Sequence, residues 1–204
     1  MAVAEAVRPI FSLSMRNTGI EEPEPYTSKD FAAFVADYPD LRTELTREGE
    51  LMILPPTKTK TGILNSKINM RLGIWAEETN SGEVIDSSTI ITLPNGAKRS
   101  PDAAWIEKSR WQALTEDDQE NFAPICPDFV IELRSRSDRL SAVQKKMREY
   151  IENGAKLGWL IDPKSQRVEV YRPGHEVEII NNPTSVSGEP ELPGFTLNLN
   201  GILE

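Results

Sequence analysis

Between Asp128 and Ile161 the chain reads as apolar strand, amphipathic helix, apolar strand, and no other stretch narrows the fold as far. Asp128-Phe129-Val130-Ile131-Glu132-Leu133-Arg134 is rich in β-branched and large apolar residues. The segment Asp138 to Glu152 follows, stopped by Asn153-Gly154. At about 100° per residue its Leu140, Val143, Met147, Tyr150 and Ile151 make one stripe facing a sheet. Leu157 to Ile161 is the second strand. With further β-branched runs upstream, this order fits an α/β fold, a mixed β-sheet flanked by helices.

At 204 residues the chain has the length of one domain, expected over residues 26–204. Residues 1–25 end in Glu21-Glu22-Pro23-Glu24-Pro25, whose prolines and charges predict a flexible arm. Ser28-Lys29-Asp30-Phe31, with Phe34 and Val35, predicts a short capped helix. Glu50 to Leu54 reads as a strand stopped by Pro55-Pro56. Ile63, Ile68, Leu72, Ile74 and Trp75 recur at helical spacing, giving a long helix ending near Ser81-Gly82. Glu83 to Ile85 and Ser88 to Leu93 read as a meander broken at Pro94-Asn95-Gly96, with a third run from Pro101 to Ile106. Trp111 to Phe122 is an acidic connection, and Arg167 to Arg172 with Val177 to Ile180 form a closing pair around Pro173-Gly174.

Composition removes several functions. Lys and Arg number 23 against 32 Asp and Glu, a formal charge of -9, so a basic coat for nonspecific nucleic-acid binding is excluded while a local basic groove is not. One cysteine, Cys126, permits no internal disulfide and fits a reducing cytoplasm. With His175 the only histidine, in a turn, neither a Ser/His/Asp device nor a zinc cage is favoured. No apolar run reaches the roughly 20 residues of a membrane span, so no membrane partner is expected and the location expected is cytoplasmic.

The carboxylates carry the chemistry. On the strand, Asp128, Glu132 and Arg134 share one face and Phe129, Ile131 and Leu133 the other, which is core. A carboxylate on so apolar a strand requires a partner or a metal; a plain Glu132–Arg134 ion pair meets that requirement equally well. Asp102, after Ser100-Pro101, reads alone as a turn acid. Two acids on neighbouring strands, however, offer hard oxygen ligands that repel one another until a cation such as Mg²⁺ or Mn²⁺ arrives. Such an ion can drive phosphodiester hydrolysis.

Residues from about Arg42 to Gly174 resemble the Uma family of restriction-endonuclease-like proteins, within the PD-(D/E)XK nuclease superfamily. The resemblance rests on Gly49-Glu50-Leu51 before Met52-Ile53-Leu54-Pro55-Pro56, on Ser100-Pro101-Asp102, and on Cys126-Pro127-Asp128-Phe129-Val130-Ile131-Glu132-Leu133. Lys146 with Tyr150 and Gly154, and Gly158-Trp159-Leu160-Ile161-Asp162-Pro163, complete it. It implies a restriction-endonuclease-like core of four sheet strands flanked by helices, and a nuclease acting on DNA. It further implies Asp102 and Glu132 as ligands of magnesium or manganese, with Glu50 as an additional acid. The superfamily's lysine two residues after the glutamate is Arg134 here, which cannot act as a base near neutral pH. Lys146, on the following helix, is the implied substitute, and a histidine often found before the long helix falls near Thr61. Lys146 or Arg134 is then expected to hold the scissile phosphate or the attacking water. Lys146 lies on the flank of the apolar stripe and Lys145 opposite it, so neither is expected to cost more than about 1 kcal/mol on removal. Lys58, Lys60, Lys67 and Arg71 read as a solvated helix face or, less simply, a phosphate-contacting edge, and Trp159 as core. By analogy a duplex cutter works as a homodimer. A catalytically idle DNA-binding or protein-interaction module is the alternative function.

Overall fold

A computed structural model describes residues 24–203, so nearly all of the expected arm, residues 1–23, lies outside the described residues. Helix α1 (Ser28–Asp37) is the expected short capped helix, and Thr27 is its cap. Its hydroxyl accepts from the Asp30 N–H, and the Asp30 carboxylate accepts from the Thr27 N–H in return. Strands β1 (Arg42–Leu45) and β2 (Leu51–Leu54) form a hairpin turning at Gly49, whose φ of +81° suits glycine. Helix α2 (Thr59–Thr79) ends on Asn80 in the left-handed conformation.

The chain then enters the main sheet at β3 (Gly82–Asp86) and leaves it for β4 (Ile91–Thr92) and β5 (Lys98–Arg99). It returns at β6 (Ala103–Glu107), passes the short helices α3 (Lys108–Gln112) and α4 (Glu116–Glu120), and forms β7 (Phe129–Leu133). Helix α5 (Leu140–Glu152) crosses over to β8 (Leu157–Asp162), and β9 (Arg167–Tyr171) and β10 (Glu178–Asn181) are the expected closing pair. A last hairpin joins β11 (Ser185–Ser187) and β12 (Thr196–Asn198).

The main sheet has six strands, more than the four expected, in the order β10-β9-β8-β7-β6-β3; β7 and β8 are parallel and the other neighbours antiparallel. A small second sheet runs β2-β1-β5-β4. The expected meander is therefore wrong: β3 pairs with β6 and β4 with β5, in different sheets. The Asp86 carboxylate accepts from the Ser88 N–H and redirects the chain between them.

Both sheet faces are covered. Phe129, Ile131, Leu133 and Trp159 pack under Leu64, Ile68, Leu72 and Trp75 of α2, together with Val186 and Leu197 of the last hairpin. Trp159 is fully buried, edge-on to Phe129, as expected of core. Val130 and Leu160 pack against Met147 and Tyr150 of α5, with Leu140, Val143 and Ile151 beside them, which is the predicted stripe. The face carrying Glu132 is thus core as well, apart from the glutamate itself. Alternation does not reach Arg134, because β7 ends at Leu133.

Candidate active site

Strands β6 and β7 pair with Ala103 across from Ile131, so one step further Asp102 comes opposite Glu132. Here β6 begins and β7 ends, and the sheet opens between α2, α5 and the β1–β2 hairpin. A groove of about 1100 Å³ lies at this opening, with Asp102, Glu132, Glu44 and Lys146 among its lining residues.

Each side chain is held by named partners. The Leu133 N–H donates to Asp102 Oδ2 at 2.8 Å, and Asn65 Nδ2 of α2 donates to Oδ1 at 2.8 Å. Asn69, one turn on, donates to the Asp102 carbonyl at 2.9 Å. Desolvation raises the Asp102 carboxyl above its ordinary range, against the pull of the Leu133 N–H and the Lys146 charge. Glu132 is buried, and Lys146 Nζ lies 2.8 Å from its Oε1, to which the Tyr150 hydroxyl also donates at 3.1 Å. Burial still lifts its carboxyl to about 7, with help from the Asp102 and Glu44 charges.

Lys146 Nζ also lies 2.7 Å from Glu44 Oε1 and donates to the Ser100 carbonyl at 3.2 Å. Burial alone would lower the lysine; the Glu132 and Glu44 carboxylates overrule it and hold the ammonium charged. Glu44 receives Arg99 at 3.2 Å and the Ser100 N–H at 3.0 Å. Burial would raise Glu44, but Lys146 and Arg99 together keep its carboxyl below the ordinary range. The two acids on one lysine therefore shift in opposite directions.

Glu50, the third acid expected, lies exposed on the groove's edge, and the acid buried beside Lys146 is Glu44. Its signal was the Gly49 turn before β2, which requires an antiparallel partner strand upstream. Arg134 points elsewhere: it pairs with buried Asp162 at 2.8 Å and donates to the Asp138 carbonyl, and it neither joins Glu132 nor lines the groove. Asp128, at the far end of β7, is taken up by Arg110 and Lys156. Lys67 and Arg71 donate to the carbonyls of Gly201 and Asn198 and so tie down the C-terminal segment, while Lys58 and Lys60 are exposed, as a solvated helix face requires. Burial pushes the Cys126 thiol up to about 12, which leaves no thiolate for nucleophilic chemistry.

Among the described residues no three His, Cys, Asp or Glu side chains gather into a metal cage. Burial keeps the carboxyls of Asp102 and Glu132 both raised despite the lysine, so a further cation beside them would favour their ionised forms. Two hard oxygen donors at an open groove fit magnesium, which binds one or two carboxylates and fills its sphere with water and phosphate oxygens.

The profile of the Uma2 family, described as "Putative restriction endonuclease", matches residues 28–200. The chain belongs to this family. A solved structure of a putative nuclease belonging to DUF820, from Anabaena variabilis ATCC 29413, is similar to this Uma2-family protein. The TM-score is 0.72 and the identity 23%, over 88% of this chain and 98% of that one. That likeness bears on the fold, which is restriction-endonuclease-like with a mixed sheet flanked by helices. No curated protein matches the chain. No helix of the described residues is long and apolar enough to cross a membrane.

Proposed function

We propose that the groove is the active site of a divalent-metal-dependent endonuclease hydrolysing DNA phosphodiester bonds. The observation that carries the reading is the placement of Asp102 across from Glu132 at the sheet's open end, with the ammonium of Lys146 2.8 Å from Glu132. Asp102 and Glu132 would hold a magnesium or manganese ion, which supplies a polarised phosphoryl oxygen and an acidified water.

The remaining steps belong to the chain's own residues. Lys146 is held protonated, so it acts as a fixed cation toward phosphate oxygens and not as a general base. Glu44 keeps that ammonium in place when Glu132 turns to another partner, which makes it a positioning residue. The Leu133 N–H and Asn65 each take one oxygen of Asp102 and fix the carboxylate's orientation. Among the described residues, eight basic and eight acidic side chains line the groove, which is therefore neutral on a chain of charge -9. Arg42, Arg47, Lys58, Arg139 and Arg148 supply cations along this groove that can face a polyanion.

Thermal melting with and without Mn²⁺ tests the ion site. The ion raises the melting temperature of the wild type, and Asp102→Ala abolishes the rise; an equal rise in both would place the ion elsewhere and end this reading.

A further inference from the structure

Helix α2 buries one face and leaves a second apolar stripe in solvent. Ile63, Met70 and Ile74 are each more than half exposed, and they recur every seven and then four residues along one side. Beside them on the same side lie Gly62, Ser66 and Gly73. Glycine is costly in a helix interior, and a Cβ at Gly73 would meet nothing within 4 Å, so no contact among the described residues accounts for it. Small residues beside large apolar ones on an open helix face permit the close approach of another helix.

The helix is also divided by charge. Lys58 and Lys60 stand at its start and Glu77 and Glu78 at its end, all exposed. The cations between them, Lys67 and Arg71, are turned to the C-terminal segment. A parallel neighbour of the same sequence would set like charges together, whereas an antiparallel one sets the lysine end of each helix beside the glutamate end of the other.

We propose that two copies of this chain pair through antiparallel α2 helices, with Ile63, Met70 and Ile74 of each seated on Gly73, Ser66 and Gly62 of the other. The three large-on-small pairs share one centre, position 68, so a single two-fold axis generates all of them at once. This is the self-complementary pattern a symmetric pair demands. At 1.5 Å per residue the contact from Lys58 to Glu78 is about 30 Å long, with Lys58 of one copy level with Glu78 of the other at its rim. The inference stands apart from the groove's chemistry.

Sedimentation of the full chain at micromolar concentrations tests it. The wild type sediments as a dimer, Met70→Glu as a monomer, and Gly73→Leu, which blocks the close approach, dissociates at least about tenfold more readily. Ile63→Lys gives the same loss should Met70→Glu fold poorly. Lys58→Glu weakens the dimer, and adding Glu78→Lys restores it, a rescue that only the antiparallel arrangement explains. A full chain that stays monomeric overturns the proposal and gives the face to another occupant, its own residues 1–23 or a foreign partner. A dimer that withstands both Met70→Glu and Gly73→Leu overturns it in favour of a different interface.

Discussion

Replacing Glu132 with glutamine should stabilise the metal-free protein, by an amount that grows with pH. In the folded chain the Glu132 carboxyl is raised from 4.5 to about 7, chiefly by burial, although Lys146 is 2.8 Å away. Between those two values the native state binds the proton that the unfolded state has lost, so stability falls as pH rises through the window. The loss is small near pH 5 and complete above pH 7. At about 1.4 kcal/mol per unit, the ionised glutamate costs on the order of 3 kcal/mol at pH 8 and under about 1 kcal/mol at pH 5. Glutamine removes the charge and keeps an oxygen for the Tyr150 hydroxyl, while Lys146 retains Glu44 at 2.7 Å and the Ser100 carbonyl at 3.2 Å. The usual cost of orphaning a buried ion-pair partner, about 3–5 kcal/mol, therefore does not arise. At about 2–4 °C per kcal/mol, Glu132→Gln should melt roughly 6–12 °C above the wild type at pH 8 in EDTA, with the gap nearly closed at pH 5. A mutant that melts lower at pH 8, or a gap indifferent to pH, would make Glu132 a structural partner of Lys146 and refute the reasoning.

Glu44→Gln should act with the opposite sign. Its carboxyl is held low by Lys146 and Arg99, so the variant loses stability at neutral pH and the deficit fades as pH falls below about 4, measurable by urea unfolding at pH 7 and pH 3.5. Lys146→Ala should abolish cleavage while Lys145→Ala, at an exposed position, spares it in a nicking assay. The stability cost at Lys146 exceeds the 1 kcal/mol its helical position suggests, because Glu44 and Glu132 are left facing each other without a cation: about 3–5 kcal/mol at pH 8 by denaturant titration, and less at pH 5. Arg134→Ala should lose about 1–3 kcal/mol, since Asp162 keeps only its backbone donors, yet retain cleavage in the same nicking assay.

The parts legible in the sequence are those written in local periodicity. β7, α5 and β8 announce themselves through alternating or helical apolar spacing, Glu132 stands out as an acid interrupting an apolar strand, and Asp102 draws notice only as a second acid at the head of a neighbouring one. The parts that were not legible depend on long-range pairing. β1 has four residues, two of them charged, so no apolar alternation marks it, and Glu44 reaches Lys146 across 102 positions of chain. The two-residue strands β4 and β5 exist only because they pair with each other and with β1, which is why a run of β-branched residues suggested one continuous meander. Arg134 misled because alternation was extended one residue past the end of β7, where the backbone turns and Asp162 captures the guanidinium.

Cleavage of supercoiled plasmid in the presence of Mn²⁺, by the wild type and by Asp102→Ala side by side, tests the central claim most directly. The account predicts nicked and linear DNA from the wild type, none when EDTA replaces the ion, and none from Asp102→Ala although it folds. Intact plasmid from a folded, Mn²⁺-loaded wild type, or equal cleavage by both proteins, would contradict it.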